Sequence, residues 1–105
     1  TTEAIVVFPD GVGVLPWMLC GNKAIGEETA IKMKDQRLVV WAMHGVFATG
    51  TSLDACFSLI ETVEKSAQIY MMTYHMKKVN TIEDVQLKLL ADTFHAKYRD
   101  GYLDL

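Results

Sequence analysis

Residues 37–50 read Arg-Leu-Val-Val-Trp-Ala-Met-His-Gly-Val-Phe-Ala-Thr-Gly, and this stretch decides how the chain is read. Leu38 to Met43 is an apolar, β-prone run that predicts a strand. Side chains alternate along a strand, so Leu38, Val40, Ala42 and His44 fall on one face. Val39, Trp41 and Met43 fall on the other. Both faces are apolar, which predicts a central strand covered on both sides. His44 puts a polar imidazole at the strand's end, directly before Gly45. Gly45 to Thr49 reads as a short loop, and a capped helix follows.

Outward from this strand, strands and helices alternate. Residues 4–8, Ala-Ile-Val-Val-Phe, are apolar and rich in β-branched side chains, which predicts a strand ended by Pro9-Asp10-Gly11. Val12 to Trp17 predicts a short extended segment. Lys23 to Lys34 predicts a helix with Asn22 as its cap. The longest helix is expected over Leu53 to Met76, with Thr51 as cap and Asp54 completing a variant capping box. Its apolar stripe comprises Leu53, Cys56, Phe57, Ile60, Val63, Ala67, Tyr70, Met71 and Tyr74. Glu64 falls inside that stripe, so it is expected to be paired, to hydrogen-bond or to lie at an interface. Its two readings are an ordinary hydrogen-bonded carboxylate and a group that orients the His44 ring. Asn80 to about Lys97 predicts a last helix, with Thr81 and Asp84 at its start. Asp100-Gly101 predicts a turn before Tyr102 to Leu105.

The chain has 105 residues, half of them hydrophobic, which suits one domain or part of one. Ten basic and 13 acidic residues give a net charge of −3, with no basic stripe for nucleic acid or an anionic membrane. No apolar run approaches the roughly 20 residues that cross a bilayer. Cys20 and Cys56 form no CxxC pair; they read as two small buried hydrophobes in a reducing compartment. The chain opens Thr1-Thr2-Glu3, without an initiator Met or a signal peptide. Glu3 leads straight into the residue 4–8 run, as expected of a domain separated from an upstream partner.

The chemistry-bearing residues are sparse. His44, His75 and His95 form no HxH, HxxH or HExxH pattern. A zinc site needs three or four ligands, so the chain is not expected to hold one by itself. His75 and His95 read as ordinary surface or interface residues, and His44 as either a core or loop histidine or a ligand. Asp10-Gly-Val-Gly13 lacks the third glycine and following helix of a nucleotide loop and reads as a plain turn.

Several segments together carry a resemblance: VVFPDGVGVLPWM (6–18), AIG (24–26), LVVW (38–41), HGVF (44–47), LD (53–54) and EKSA (64–67). The chain resembles the class II aldolase/adducin family, and the match weakens beyond Ala67. The FPDGVG-x-LPWM segment points to one sugar-phosphate aldolase within it. The resemblance implies an α/β three-layer domain with a mainly antiparallel central sheet flanked by helices. It implies that residues 1–105 are the C-terminal portion of that domain, shortened on the N-terminal side. His44 stands at the position of the third histidine ligand of a catalytic zinc, the family's HxH pair lying upstream. Glu3 stands where a glutamate reaches a neighbouring subunit's site as proton donor.

The activity so implied is a zinc-dependent cleavage of a sugar phosphate to dihydroxyacetone phosphate and an aldehyde, in a cytoplasmic homotetramer. The 105 residues alone are expected to be inactive. Two other readings remain: a different class II aldolase or a pentulose-phosphate 4-epimerase, and a non-enzymatic interaction module of the adducin-head kind.

Overall fold

The computed structural model describes residues 1–96. Those residues divide into two compact units: Gly11–Glu61, and residues 1–10 together with 62 onward. The long helix runs from one unit into the other.

In the Gly11–Glu61 unit, three strands form one sheet in the order β1 (Gly13–Leu15), β2 (Leu38–Trp41), β3 (Gly45–Ala48). β1 and β2 are parallel, with Gly13 opposite Val39 and Leu15 opposite Trp41. The Ala42 amide extends that ladder by donating to the Leu15 carbonyl. A parallel pair needs a long crossover. Helix α2 (Lys23–Lys32) supplies it, and it packs on β1. β2 and β3 are antiparallel, with Leu38 opposite Ala48 and Trp41 opposite Gly45. The sheet is therefore mixed, with one pair of each kind, and the expected α/β character holds.

Local chemistry explains these elements. Asn22 caps α2 as expected, its side-chain oxygen accepting from the Ile25 amide at 3.1 Å. Leu38 and Val39 are fully buried, which confirms β2 as the central strand. Leu15, Ile25 and Val39 form the core, with Met18, Met33 and Trp41 packed against it. Thr29 is the buried polar residue of the unit. Its hydroxyl donates to the Ile25 carbonyl and accepts the Trp41 indole N–H at 3.0 Å, so neither polar group is stranded. Gly11 has φ +78° directly after the turn at Pro9–Asp10, whereas Gly13, included in the expected turn, already belongs to β1.

The second unit contains α1 (Thr2–Val7), most of α3 (Leu53–Thr73) and α4 (Asp84–Phe94). Residues 4–8 were expected as a strand, and the structure corrects this: they lie mostly within α1. Short apolar runs fit either element, and β-branched residues cost a helix only a few tenths of a kcal/mol each. Here the ends decide. The Thr1 hydroxyl accepts from the Ala4 amide, Glu3 sits in the first turn where negative charge suits the dipole, and Pro9 follows. Thr1 Oγ1 also lies 3.2 Å from Ser66 Oγ, and α1 contacts α4. Phe8 and Leu87 are buried in this unit.

Helix α3 starts where expected, but its cap is Ser52 rather than Thr51: the Ser52 hydroxyl accepts from the Ala55 amide. It ends at Thr73, short of Met76. The expected apolar stripe is only partly covered. Cys56, Ile60 and Val63 are half-buried, and Leu59, outside the stripe, is the buried residue. Leu53, Phe57, Tyr70, Met71 and Tyr74 are exposed. The last helix is also shorter than the sequence suggested. The Glu83 amide donates to Gln86 Oε1, so its reciprocal cap lies two residues beyond the expected Thr81. Lys97, the Asp100-Gly101 turn and Tyr102–Leu105 lie outside the described residues.

Candidate functional site

His44 lies at the tip of the β2–β3 hairpin rather than at the end of a strand. β2 stops at Trp41, and the His44 amide donates back to the Trp41 carbonyl at 3.0 Å, closing a tight turn. Within that turn only the second central residue, Met43, has a positive φ, +62°. That pattern belongs to a type II turn, whose second central position favours Gly or Asn. A methionine there costs on the order of 1–3 kcal/mol. It also points into solvent, 95% exposed. Strain of this kind clusters at functional sites, and it sits next to the imidazole the sequence singled out.

The turn also changes which groups His44 meets. Strand alternation put His44 and Trp41 on opposite faces; the turn breaks the alternation. Their rings lie 5.4 Å apart between centroids, tilted by 45°. Phe47 stacks on the same indole at 5.6 Å and 18°. Val39 opposes Phe47 across the hairpin, so Trp41 and Phe47 form a diagonal pair on one face. The result is an exposed imidazole beside the half-buried indole of Trp41, with Phe47, itself exposed, stacked on that indole.

Glu3 is exposed in the first turn of α1, within the other unit, and not at a strand start. Glu64 is exposed too, and the Gln68 amide donates to its carboxylate at 3.2 Å. It is therefore hydrogen-bonded as expected, but on a solvated helix face. His75 is exposed, edge-on to Tyr74 at 5.1 Å, and His95 closes α4 in a left-handed conformation. Cys56 is half-buried, but Cys20 is exposed, against the expectation of two buried thiols. It lies in the loop before Gly21, where no element covers it.

Among the described residues, no group of three or more His, Cys, Asp or Glu is placed to hold a metal ion. His44 fits a single coordinating position, since it is exposed and its ring nitrogens make no hydrogen bond among the described residues. The remaining donors of a zinc site would have to come from elsewhere. Among the described residues, two apolar grooves in the α1/α4 unit, one along Leu89, Leu90 and Phe94 and one along Ile5, Ile69 and Ile82, have no acidic, basic or metal-binding side chain in their lining. No described helix is long and apolar enough to cross a membrane.

Residues 1–71 match the family described as Class II Aldolase and Adducin N-terminal domain. The chain belongs to the class II aldolase/adducin family. Among curated proteins it is 52% identical to a rhamnulose-1-phosphate aldolase of Mannheimia succiniciproducens, over 98% of this chain and 38% of that protein. It is 48% identical to a rhamnulose-1-phosphate aldolase of Listeria welshimeri, over 97% of this chain and 37% of that protein. The chain thus spans less than two-fifths of the length of these relatives. Among solved structures, an L-fuculose 1-phosphate aldolase superposes with a TM-score of 0.70 at 28% identity, over 88% of this chain and 43% of that one. YgbL of Klebsiella pneumoniae, described as a putative aldolase/epimerase/decarboxylase, superposes with a TM-score of 0.73 at 21% identity, over 86% and 42%. These superpositions establish the class II aldolase fold for the chain.

Sequence reasoning missed the third strand and the ring contact between Trp41 and His44. Val46-Phe47 after a glycine was a strand signal. A three-residue turn with methionine in the left-handed region leaves no such trace.

Proposed function

We propose that the chain is the C-terminal portion of a zinc-dependent aldolase that cleaves L-rhamnulose 1-phosphate in rhamnose catabolism. The products are dihydroxyacetone phosphate and L-lactaldehyde. The observation that carries this reading is the 44–52% identity, held along nearly the whole chain, to proteins named rhamnulose-1-phosphate aldolase. The exposed His44 at a strained turn supports its role as one zinc ligand, with the other ligands and the phosphate site outside these 105 residues. Zinc, when bound, supplies a Lewis acid suited to an enediolate.

The reaction is a retro-aldol cleavage. The 4-hydroxyl loses its proton and becomes the aldehyde of lactaldehyde. The electrons of the broken C3–C4 bond pass to C3, leaving an enediolate on the phosphate-bearing half. A proton delivered to C3 completes dihydroxyacetone phosphate. Glu3 is assigned that proton donation, acting at a neighbouring subunit of a cytoplasmic tetramer. Its exposure in the first turn of α1 leaves the carboxyl free to meet another chain.

The test is cleavage of rhamnulose 1-phosphate by the full-length protein, before and after chelation. Activity is expected to vanish with chelator and return with zinc. Turnover that persists in metal-depleted protein contradicts the reading. The 105 residues alone are expected to cleave nothing and to bind zinc only weakly, given their single placed donor.

A further inference from the structure

We infer that Thr29, Trp41 and Phe47 form a clamp that fixes the ring of His44, with Trp41 as the positioning residue and Thr29 as its anchor. This rests on the reading of His44 as a ligand. A coordinating histidine ordinarily has its second ring nitrogen tied to a carboxylate or carbonyl, which sets ring orientation. His44 has no such tie among the described residues, and its backbone sits on a solvent-exposed turn. Its ring neighbour is the Trp41 indole, 5.4 Å away between centroids and tilted by 45°.

That indole is itself held on two sides. Phe47 stacks against it. Its N–H is taken by the Thr29 hydroxyl at 3.0 Å. Thr29 is 5% exposed, and its own proton is committed to the Ile25 carbonyl. The threonine oxygen therefore acts as a fixed acceptor, and the orientation of the indole is transmitted from α2 to the hairpin tip. Neither imidazole nitrogen is hydrogen-bonded among the described residues. An aromatic face restricts the tilt of the ring without occupying either nitrogen, which suits a ligand whose partners lie outside this segment.

The experiment uses the full-length protein and three variants: Thr29→Val, which keeps shape but removes the acceptor, Thr29→Ser, which restores it, and Trp41→Phe, which keeps an aromatic face without the N–H. Two quantities are read. In metal-free protein, NMR gives the ring-current shift of the His44 ring protons. Titration with zinc alone gives the dissociation constant.

Thr29→Val and Trp41→Phe are expected to move the His44 ring shifts and to weaken zinc binding by about 10-fold or more. Thr29→Ser is expected to stay within about twofold of wild type, a rescue that general loss of packing would not produce. Wild-type ring shifts in Thr29→Val, with wild-type zinc affinity in both disruptive variants, would overturn the clamp. If Thr29→Val does not fold, the zinc affinity of Trp41→Phe decides alone. His44→Ala, run alongside, separates the two claims: undiminished zinc binding there overturns the ligand reading instead.

Discussion

The Gly11–Glu61 unit and the helical unit spend their apolar residues differently. In the first, paired strands and a capped crossover helix bury Leu15, Ile25, Leu38 and Val39, and a buried hydroxyl is satisfied on both sides. In the second, Phe8 and Leu87 are buried, while Tyr70, Met71, Met72, Val85, Leu89 and Phe94 face outward. Burial follows packing partners rather than backbone pairing alone: Ile25 and Leu59 are buried from helices, Val14, Val46 and Phe47 stay exposed on strands, and a helix buries a stripe only if something lies along it. The candidate ligand His44 belongs to the better-buried unit, at its one strained turn.

This contrast has measurable consequences. The largest concerns hydrogen exchange. Amides of β2 are expected to be protected at least about 100-fold more than those of α1, because a six-residue helix cannot hold itself and opens locally. Equal protection would mean that the two regions unfold as one.

Core truncation comes next. Leu38→Ala is expected to cost about 2–5 kcal/mol in denaturant unfolding, as for other fully buried leucines. A loss below about 1 kcal/mol would show that the sheet core is not what holds this unit. Leu89→Ala, on the exposed side of α4, should change stability by no more than about 0.5 kcal/mol. A large loss there would mean that the helical unit is covered in solution.

An effect of opposite sign is expected at the turn. Met43→Gly relieves the left-handed conformation but loosens the unfolded chain, so a net gain of about 0.5–1 kcal/mol is expected. A destabilised variant would show that the methionine is not strained.

What the sequence disclosed follows the same division. β2, β1 and α2 were legible because their signals are local: an apolar β-prone run, a glycine break, an asparagine cap. Residues 4–8 misled because five apolar residues do not choose between strand and helix, and the cap at Thr1 and contacts with α4 made the choice. The α3 stripe was visible as a pattern, but which part of it is covered depends on neighbours, so Leu59 rather than Leu53 or Phe57 became the buried contact. His44 was legible as the candidate ligand of the chain. Its position on a turn beside Trp41 was not, since a positive φ at Met43 leaves no mark in composition. The family was carried by long identical segments rather than by any single motif.

The central claim is that His44 is a zinc ligand of an aldolase whose other ligands lie elsewhere in the protein. The most direct measurement is zinc content and rhamnulose 1-phosphate cleavage of the full-length His44→Ala variant beside wild type. Zinc binding is expected to weaken by at least about 100-fold, beyond the range seen for groups that merely orient a ligand, and cleavage to be lost with it. A folded variant that retains stoichiometric zinc and normal turnover would contradict it.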